Sequence, residues 1–192
     1  MKRIWFFILM IAVAFPIVAQ NATISRVSGK VEYLVAGGSW TGAATGDVIP
    51  IGATISTGFR SSAVLTVGGA EISVSALTRM SIEELAETND SITTTLNLRT
   101  GKVRASVRAT SGKSTDFRLR SPVSTAAVRG TEFVFDGYRL EVIEGIVSFL
   151  NFVNETIPVL AGNSSDITED GSPSYPGDNQ QNNSTVSTDT SG

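Results

Sequence analysis

Apolar and polar residues alternate with a period of two through most of this 192-residue chain. In KVEYLVA, Val31, Tyr33 and Val35 fall on one face. AVLTVGG sets Val64 and Thr66 against Leu65 and Val67, and EISVSA keeps Ile72 and Val74 in phase. SITTTLNL is rich in β-branched residues. DFRLRS separates Phe117 and Leu119 from Arg118 and Arg120, and EFVFDG and YRLEVIEGIVSFLNF continue the alternation. Successive side chains of a strand point to opposite faces, so these segments predict strands with one buried face. Glycine recurs between them from Gly29 to Gly145, as turns between short strands require. MSIEELAE fits either an amphipathic helix or a strand with a charged outer face.

The predicted fold is therefore all-β, an irregular β-solenoid or a barrel-like sandwich of short strands. A weak internal repeat agrees with it. SGKVEYL (28–34), TGKVRAS (100–106) and EGIVSFL (144–150) each place a glycine just before a strand. Their unequal intervals rule out a regular short-period array.

The two ends read differently. Lys2 and Arg3 precede an unbroken apolar run from Ile4 to Phe15. That run is too short to cross a bilayer comfortably and matches the apolar region of a secretory signal, with a cut expected after Ala19. Residues 1–19 are thus expected to be a signal peptide and residues 20–162 the β domain. No later apolar stretch is long enough for a membrane span, so the mature chain is expected to be exported, periplasmic or secreted. Residues 163–192 carry almost no large apolar side chain and are expected to be a disordered polar tail.

The chain contains no cysteine and no histidine. It therefore forms no disulfide, and it lacks the commonest general base and metal ligand. The expectation is a non-enzymatic protein with no cofactor and no metal. Charge is uneven. Eight basic residues lie between Arg99 and Arg129, with Asp116 as the only acid among them, whereas ten acids and one arginine follow Thr131. This strip is either neutralised within the fold or offered to an anionic partner. Sparse aromatics and an exported chain argue against nucleic acid.

Several segments together resemble the FecR domain family. GKVEYLVAGGSWTGAATGDVIPIGATISTGFRSSAVLTVGGAEISVSALTRMSIEEL resembles the opening of that domain, and LRTGKVRASV its middle strand. FRLRSPVSTAAVRGTEFVF resembles its signature, and LEVIEGIVSFLN followed by IPVLAG its close. The likeness runs from Ser28 to Gly162. It implies an exported β-rich domain of the solenoid-like type. In the founding members this is the periplasmic part of a membrane-spanning sigma-factor regulator that receives a signal from an outer-membrane transporter. The chain shows no sigma-binding helical region, internal span or small C-terminal domain, so a stand-alone FecR-like protein is expected.

The expected role is a protein-interaction, signalling or scaffold module of the bacterial cell envelope, with an envelope protein as partner. The alternative is a module that binds carbohydrate or peptidoglycan. The signature residues Arg129, Gly130 and Thr131, and the turn residues Glu144 and Gly145, have a structural account. Gly130 permits positive φ where the chain changes direction, and Thr131 bonds a turn amide. Arg129 lies against Glu144 or Glu132, caps corner carbonyls, or meets an anionic ligand. Pro122 suits the entry to an edge strand, and Glu144-Gly145 a tight hairpin. Trp40 is either a core anchor or, with Arg104 and Arg108, part of a partner surface.

Overall fold

The structure, a computed structural model, describes residues 21–109 and 112–175. The chain zigzags between two sheets. β1 (Ala22–Ser28) lies in the first, β2 (Val31–Leu34) and β3 (Thr41–Gly42) in the second, and β4 (Val48–Ile49) in the first again. β5 (Thr54–Thr57) joins the second sheet, β6 (Ser62–Val67) and β7 (Ala70–Val74) the first, and β8 (Arg79–Glu87) and β9 (Ser91–Thr100) the second. β10 (Val103–Val107) visits the first sheet alone before β11 (Ser114–Arg120) and β12 (Ser124–Val128) return to the second. β13 (Glu132–Phe135) and β14 (Arg139–Glu144) follow in the first, β15 (Ile146–Asn151) and β16 (Thr156–Leu160) in the second, and β17 (Ser164–Asp166) in the first.

The result is an eight-stranded sheet, β17-β14-β13-β10-β7-β6-β1-β4, facing a nine-stranded one, β16-β15-β12-β11-β9-β8-β5-β2-β3. Both are open, so the two predicted architectures resolve as a sandwich of short strands whose chain advances like a solenoid. Because β10 crosses alone, β9 and β11 run parallel, from Ser114↔Ser91 to Arg120↔Asn97. The other registers are antiparallel.

The period of two places one large apolar core between the sheets. Ile24, Ile55, Leu65, Ile72, Met80, Ile82 and Leu96 are fully buried in it. Two aromatic pairs bridge the layers edge to face: Phe117–Phe133 at 6.4 Å and Phe135–Phe149 at 6.3 Å between ring centroids. MSIEELAE is strand β8, with Met80, Ile82 and Leu85 inward. Its two adjacent exposed glutamates come from a bulge that makes Glu83 the extra residue between Ile82↔Leu96 and Glu84↔Thr95.

The weak repeat marks crossings from one sheet to the other. Gly29, Gly101 and Gly145 sit at φ +73°, +96° and +82°. A Cβ at each would come within 2.4 Å of Ser61 Oγ, 2.2 Å of Thr78 Oγ1 and 2.6 Å of Thr131 Cγ2, respectively. Ser61, Thr78 and Thr131 belong to three further crossings and directly follow the positive-φ residues Arg60, Leu77 and Gly130. Each glycine thus lets one crossing stack on another. The hydroxyls complete two of the stacks: the Lys30 amide donates to Ser61 Oγ at 2.8 Å and the Lys102 amide to Thr78 Oγ1 at 3.0 Å. Leu77 is exposed and holds φ at +55°, a conformation costly for a side chain with a Cβ. Leu77→Gly is expected to raise stability by about 0.5–1 kcal/mol, strain relief exceeding the added unfolded-state entropy. A shift of the urea midpoint measures it.

Three local expectations change. Gly145 is a crossing and not a hairpin, because β14 and β15 belong to different sheets. The closing hairpin is β15–β16 instead. Pro122 lies in the turn between β11 and β12, and β12 is interior, flanked by β11 and β15. The proline is tolerated because the Ser121 amide, bonded to the Ser124 carbonyl at 2.8 Å, closes that turn. Val35 falls just beyond β2 and is exposed. The proline of a free edge is Pro158 in β16. The bonds from the Ala161 amide to the Gly145 carbonyl and from the Asn151 amide to the Glu155 carbonyl turn the odd-numbered groups toward β15. Pro158, which has no N–H, therefore faces the open side and breaks a ladder on which another strand could dock.

The domain also extends past residue 162. β17 pairs with β14, and Ile167 bridges to Pro173. Ser165 is fully buried and its hydroxyl donates to the Ser174 carbonyl at 2.7 Å, while Asn151 Nδ2 donates to the Gly171 carbonyl at 3.0 Å. In the intervening turn the Thr168 hydroxyl, then the Ser172 amide, hold the Asp170 carboxyl below its ordinary range. Residues 163–175, expected to lie in the polar tail, are thus part of the fold, and residues 176–192 and the expected signal at 1–19 lie outside the described residues. Among the described residues no helix is long and apolar enough to cross a membrane.

Candidate functional site

The predicted basic strip is divided by the fold. Strand alternation sends Arg104, on β10, to the outer face of the eight-stranded sheet and Arg118 and Arg120, on β11, to that of the nine-stranded sheet. Four of the strip's eight charges are matched by carboxylates. Arg104 binds Glu132 at 2.6 Å, Arg118 binds Asp116 at 3.0 Å, Arg120 lies 3.7 Å from Glu83, and Lys113 pairs with Glu87. Such exposed pairs contribute about 0–1 kcal/mol each, so they balance the surface more than they hold the fold.

Arg129 differs from expectation. It is exposed in the β12–β13 crossing, and among the described residues it has no ion-pair partner. Glu132 is taken by Arg104, and Glu144 is exposed at the end of β14. Arg108, Arg129, Thr131, Glu132 and Glu144 line one open groove of about 430 Å³. Thr131 bonds no turn amide through its side chain. Its methyl faces Gly145 and its Oγ1 is buried without a partner among the described residues, while its carbonyl accepts from the Val107 amide at 2.9 Å. Gly130, at φ +86°, does turn the chain as its residue type suggests. Arg129→Ala is expected to change stability by no more than about 0.5 kcal/mol, because an exposed, unpaired side chain holds nothing in place. Thermal melting checks this.

Among the grooves on the outer face of the nine-stranded sheet, two bear on the site. The larger, about 660 Å³, has a floor of small side chains, Thr125, Ala127 and Ser148, between Arg118 and Arg120 on one side and Leu150 and Thr156 on the other. Glu83 and Glu84 close one end. Glu83 accepts from Asn97 Nδ2 at 2.9 Å and Glu84 from Thr95 Oγ1 at 3.2 Å. Polar groups of both signs here are largely satisfied by one another.

The smaller groove, about 190 Å³, is lined by Leu34, Trp40, Thr54, Arg79, Met80, Ser81, Asn97 and Arg99. Trp40 is not a core anchor: it remains 42% exposed, with the Arg79 guanidinium 5.5 Å from its ring centroid. Arg99 is the extra residue of a bulge between Arg79↔Thr100 and Met80↔Leu98. The bulge leaves both Arg99 and Thr100 on the outer face opposite Arg79, so Arg99 lines the groove with Arg79. Trp40 and the pair Arg104 and Arg108 therefore belong to opposite sheets and form no common surface. Alternation turns Arg79 and Arg99 outward, but only the pairing of β8 with β9 and the fold of the β2–β3 loop bring them to Trp40, so sequence reasoning missed this grouping.

An open two-sheet sandwich with stacked glycine crossings defines the class. The family model described as FecR protein matches residues 53–148, half of the chain, and the chain belongs to that family. The matched span contains Arg79, Arg99 and the Arg129 crossing, and leaves out Trp40. Two crystal structures of a candidate anti-sigma factor from Parabacteroides distasonis share the fold. They give TM-scores of 0.53 and 0.51 at 17% and 18% identity. Each match covers 62% of this chain and 57% of the crystallised one. No curated protein matches the sequence.

Proposed function

We propose that this chain is a non-enzymatic, exported interaction module that serves signalling at the bacterial cell envelope, with an envelope protein as its partner. Family membership and a fold shared with a candidate anti-sigma factor support a signalling role. The charged N-terminal start and the apolar run to Phe15 support export. The observation that carries the reading is the exposed Trp40–Arg79 stack on the outer face of the nine-stranded sheet, since tryptophan and arginine are enriched among the residues that carry most of an interface's binding energy. A glycan reading resting on Trp40 together with Arg104 and Arg108 has no single surface to use.

Chemical crosslinking in intact cells, followed by mass identification, tests the proposal. A reproducible envelope protein joined to this chain is expected. Repeated recovery of the chain alone, at native expression and with several linker lengths, would count against it.

A further inference from the structure

Resting on the interaction-module reading, we propose that the Trp40–Arg79–Arg99 groove recognises carboxylate side chains on an acidic polypeptide segment of the partner protein. Its charge sets it apart. The groove presents two guanidinium groups, and no carboxylate lines it. The neighbouring outward acids are already engaged: Glu32 binds Lys30 at 3.1 Å, and Glu83 accepts from Asn97 and faces Arg120. The larger grooves differ, because Arg118 and Arg120 face Asp116, Glu83 and Glu84, and Arg108 and Arg129 share theirs with Glu132 and Glu144. Uncompensated positive charge in a concave site attracts an anionic partner and speeds encounter with it.

The groove is also built before any ligand arrives. Arg79 is held over the indole, and Arg99, facing outward from β9, lines the same groove. Asn97, Thr54 and Ser81 add hydrogen-bonding groups around them. Two planar forks suit carboxylates, which arginine binds in bidentate fashion. The uncovered part of the indole offers apolar contact for the methylene groups of an Asp or Glu side chain. A volume of about 190 Å³ fits one or two such side chains and not a folded surface, which favours an extended segment. Preorganised arginine–aromatic anchors of this kind lose little rotamer freedom on binding.

The test uses the chain purified from its native host and a fluorescein-labelled decapeptide of alternating Glu and Ser, followed by anisotropy. Binding is expected, weakening as salt rises from about 0.1 to 1 M, where screening shortens the reach of charge from about 10 to 3 Å. The Gln counterpart peptide should bind about tenfold or more weakly, and Arg79→Glu with Arg99→Glu, or Trp40→Ala, should cost a similar factor. The pair Arg104→Glu and Arg108→Glu, on the opposite sheet, should leave binding unchanged. Equal binding by the Arg79/Arg99 variant, no binding of the acidic peptide, or preference for an oligogalacturonate over it would each overturn the assignment. Capture of a cellular partner through a different face, without peptide binding here, would overturn this site alone. Capture through no face would overturn the interaction-module reading as well.

Discussion

Gly101→Ala is expected to lower the unfolding free energy by about 3 kcal/mol. Two costs combine. The residue holds φ at +96°, which an L side chain adopts at a cost of about 1–2 kcal/mol. The new Cβ would also lie 2.2 Å from Thr78 Oγ1 and 2.4 Å from Thr78 Cα. Backbone at that distance cannot rotate away as a side-chain tip would, so the crossings must separate, at a typical overpacking cost of about 1–3 kcal/mol. Separation also breaks the bond from the Lys102 amide to Thr78 Oγ1. Gly37→Ala is the control, since φ there is +75° but a Cβ would meet nothing within 4 Å. It should show the conformational cost alone. Urea unfolding of both variants reads the difference, and equal losses would mean that the stacking of crossings contributes nothing.

Phe149→Ala should cost about 3–5 kcal/mol, a large share of the 5–15 kcal/mol by which domains are stable. Phe149 is fully buried in the nine-stranded sheet and meets Phe135 of the eight-stranded sheet edge to face, at an interplanar angle of 83°. Its loss opens a void between layers already filled by neighbours on both sides, and neither sheet can close it without moving its strands. A double-mutant cycle with Phe135→Ala separates the ring–ring contact, about 0.5–1.5 kcal/mol, from the general loss of burial. Additive losses would show that the two rings share no special contact.

These two positions were not equally legible. Phe149 follows from strict alternation in IVSFLN, since an apolar residue in phase with Val147 has to face the same way. The glycine repeat was also visible, but its meaning was not. A glycine at positive φ serves a hairpin and a sheet crossing alike, and only the pairing of β14 with β13 and of β15 with β12 tells them apart at Gly145. The parallel pairing of β9 and β11 depends on β10 crossing alone, a long-range fact that no local pattern carries.

Polar residues misled in two places. Ser165 and Ser174 read as parts of a solvated tail, yet each is buried with hydrogen bonds to the chain. Composition counts a hydroxyl as polar whether water or a carbonyl satisfies it. Arg129 misled the other way. An arginine after an apolar run suggests a buried ion pair, but the run ends where the crossing begins, and the side chain leaves the core there. The Trp40 groove was half legible: the indole was recognised, whereas its partners Arg79 and Arg99 come from strands β8 and β9, whose bulge the sequence does not mark.

Site-specific photo-crosslinking in intact cells tests the central claim most directly, with the photoreactive residue at Ser81 in the Trp40 groove or at Ser73 on the opposite sheet. The account predicts one identifiable envelope protein captured from Ser81, not from Ser73, and lost when Arg79→Glu and Arg99→Glu are introduced. Capture from Ser73 alone, or from neither position, would contradict it.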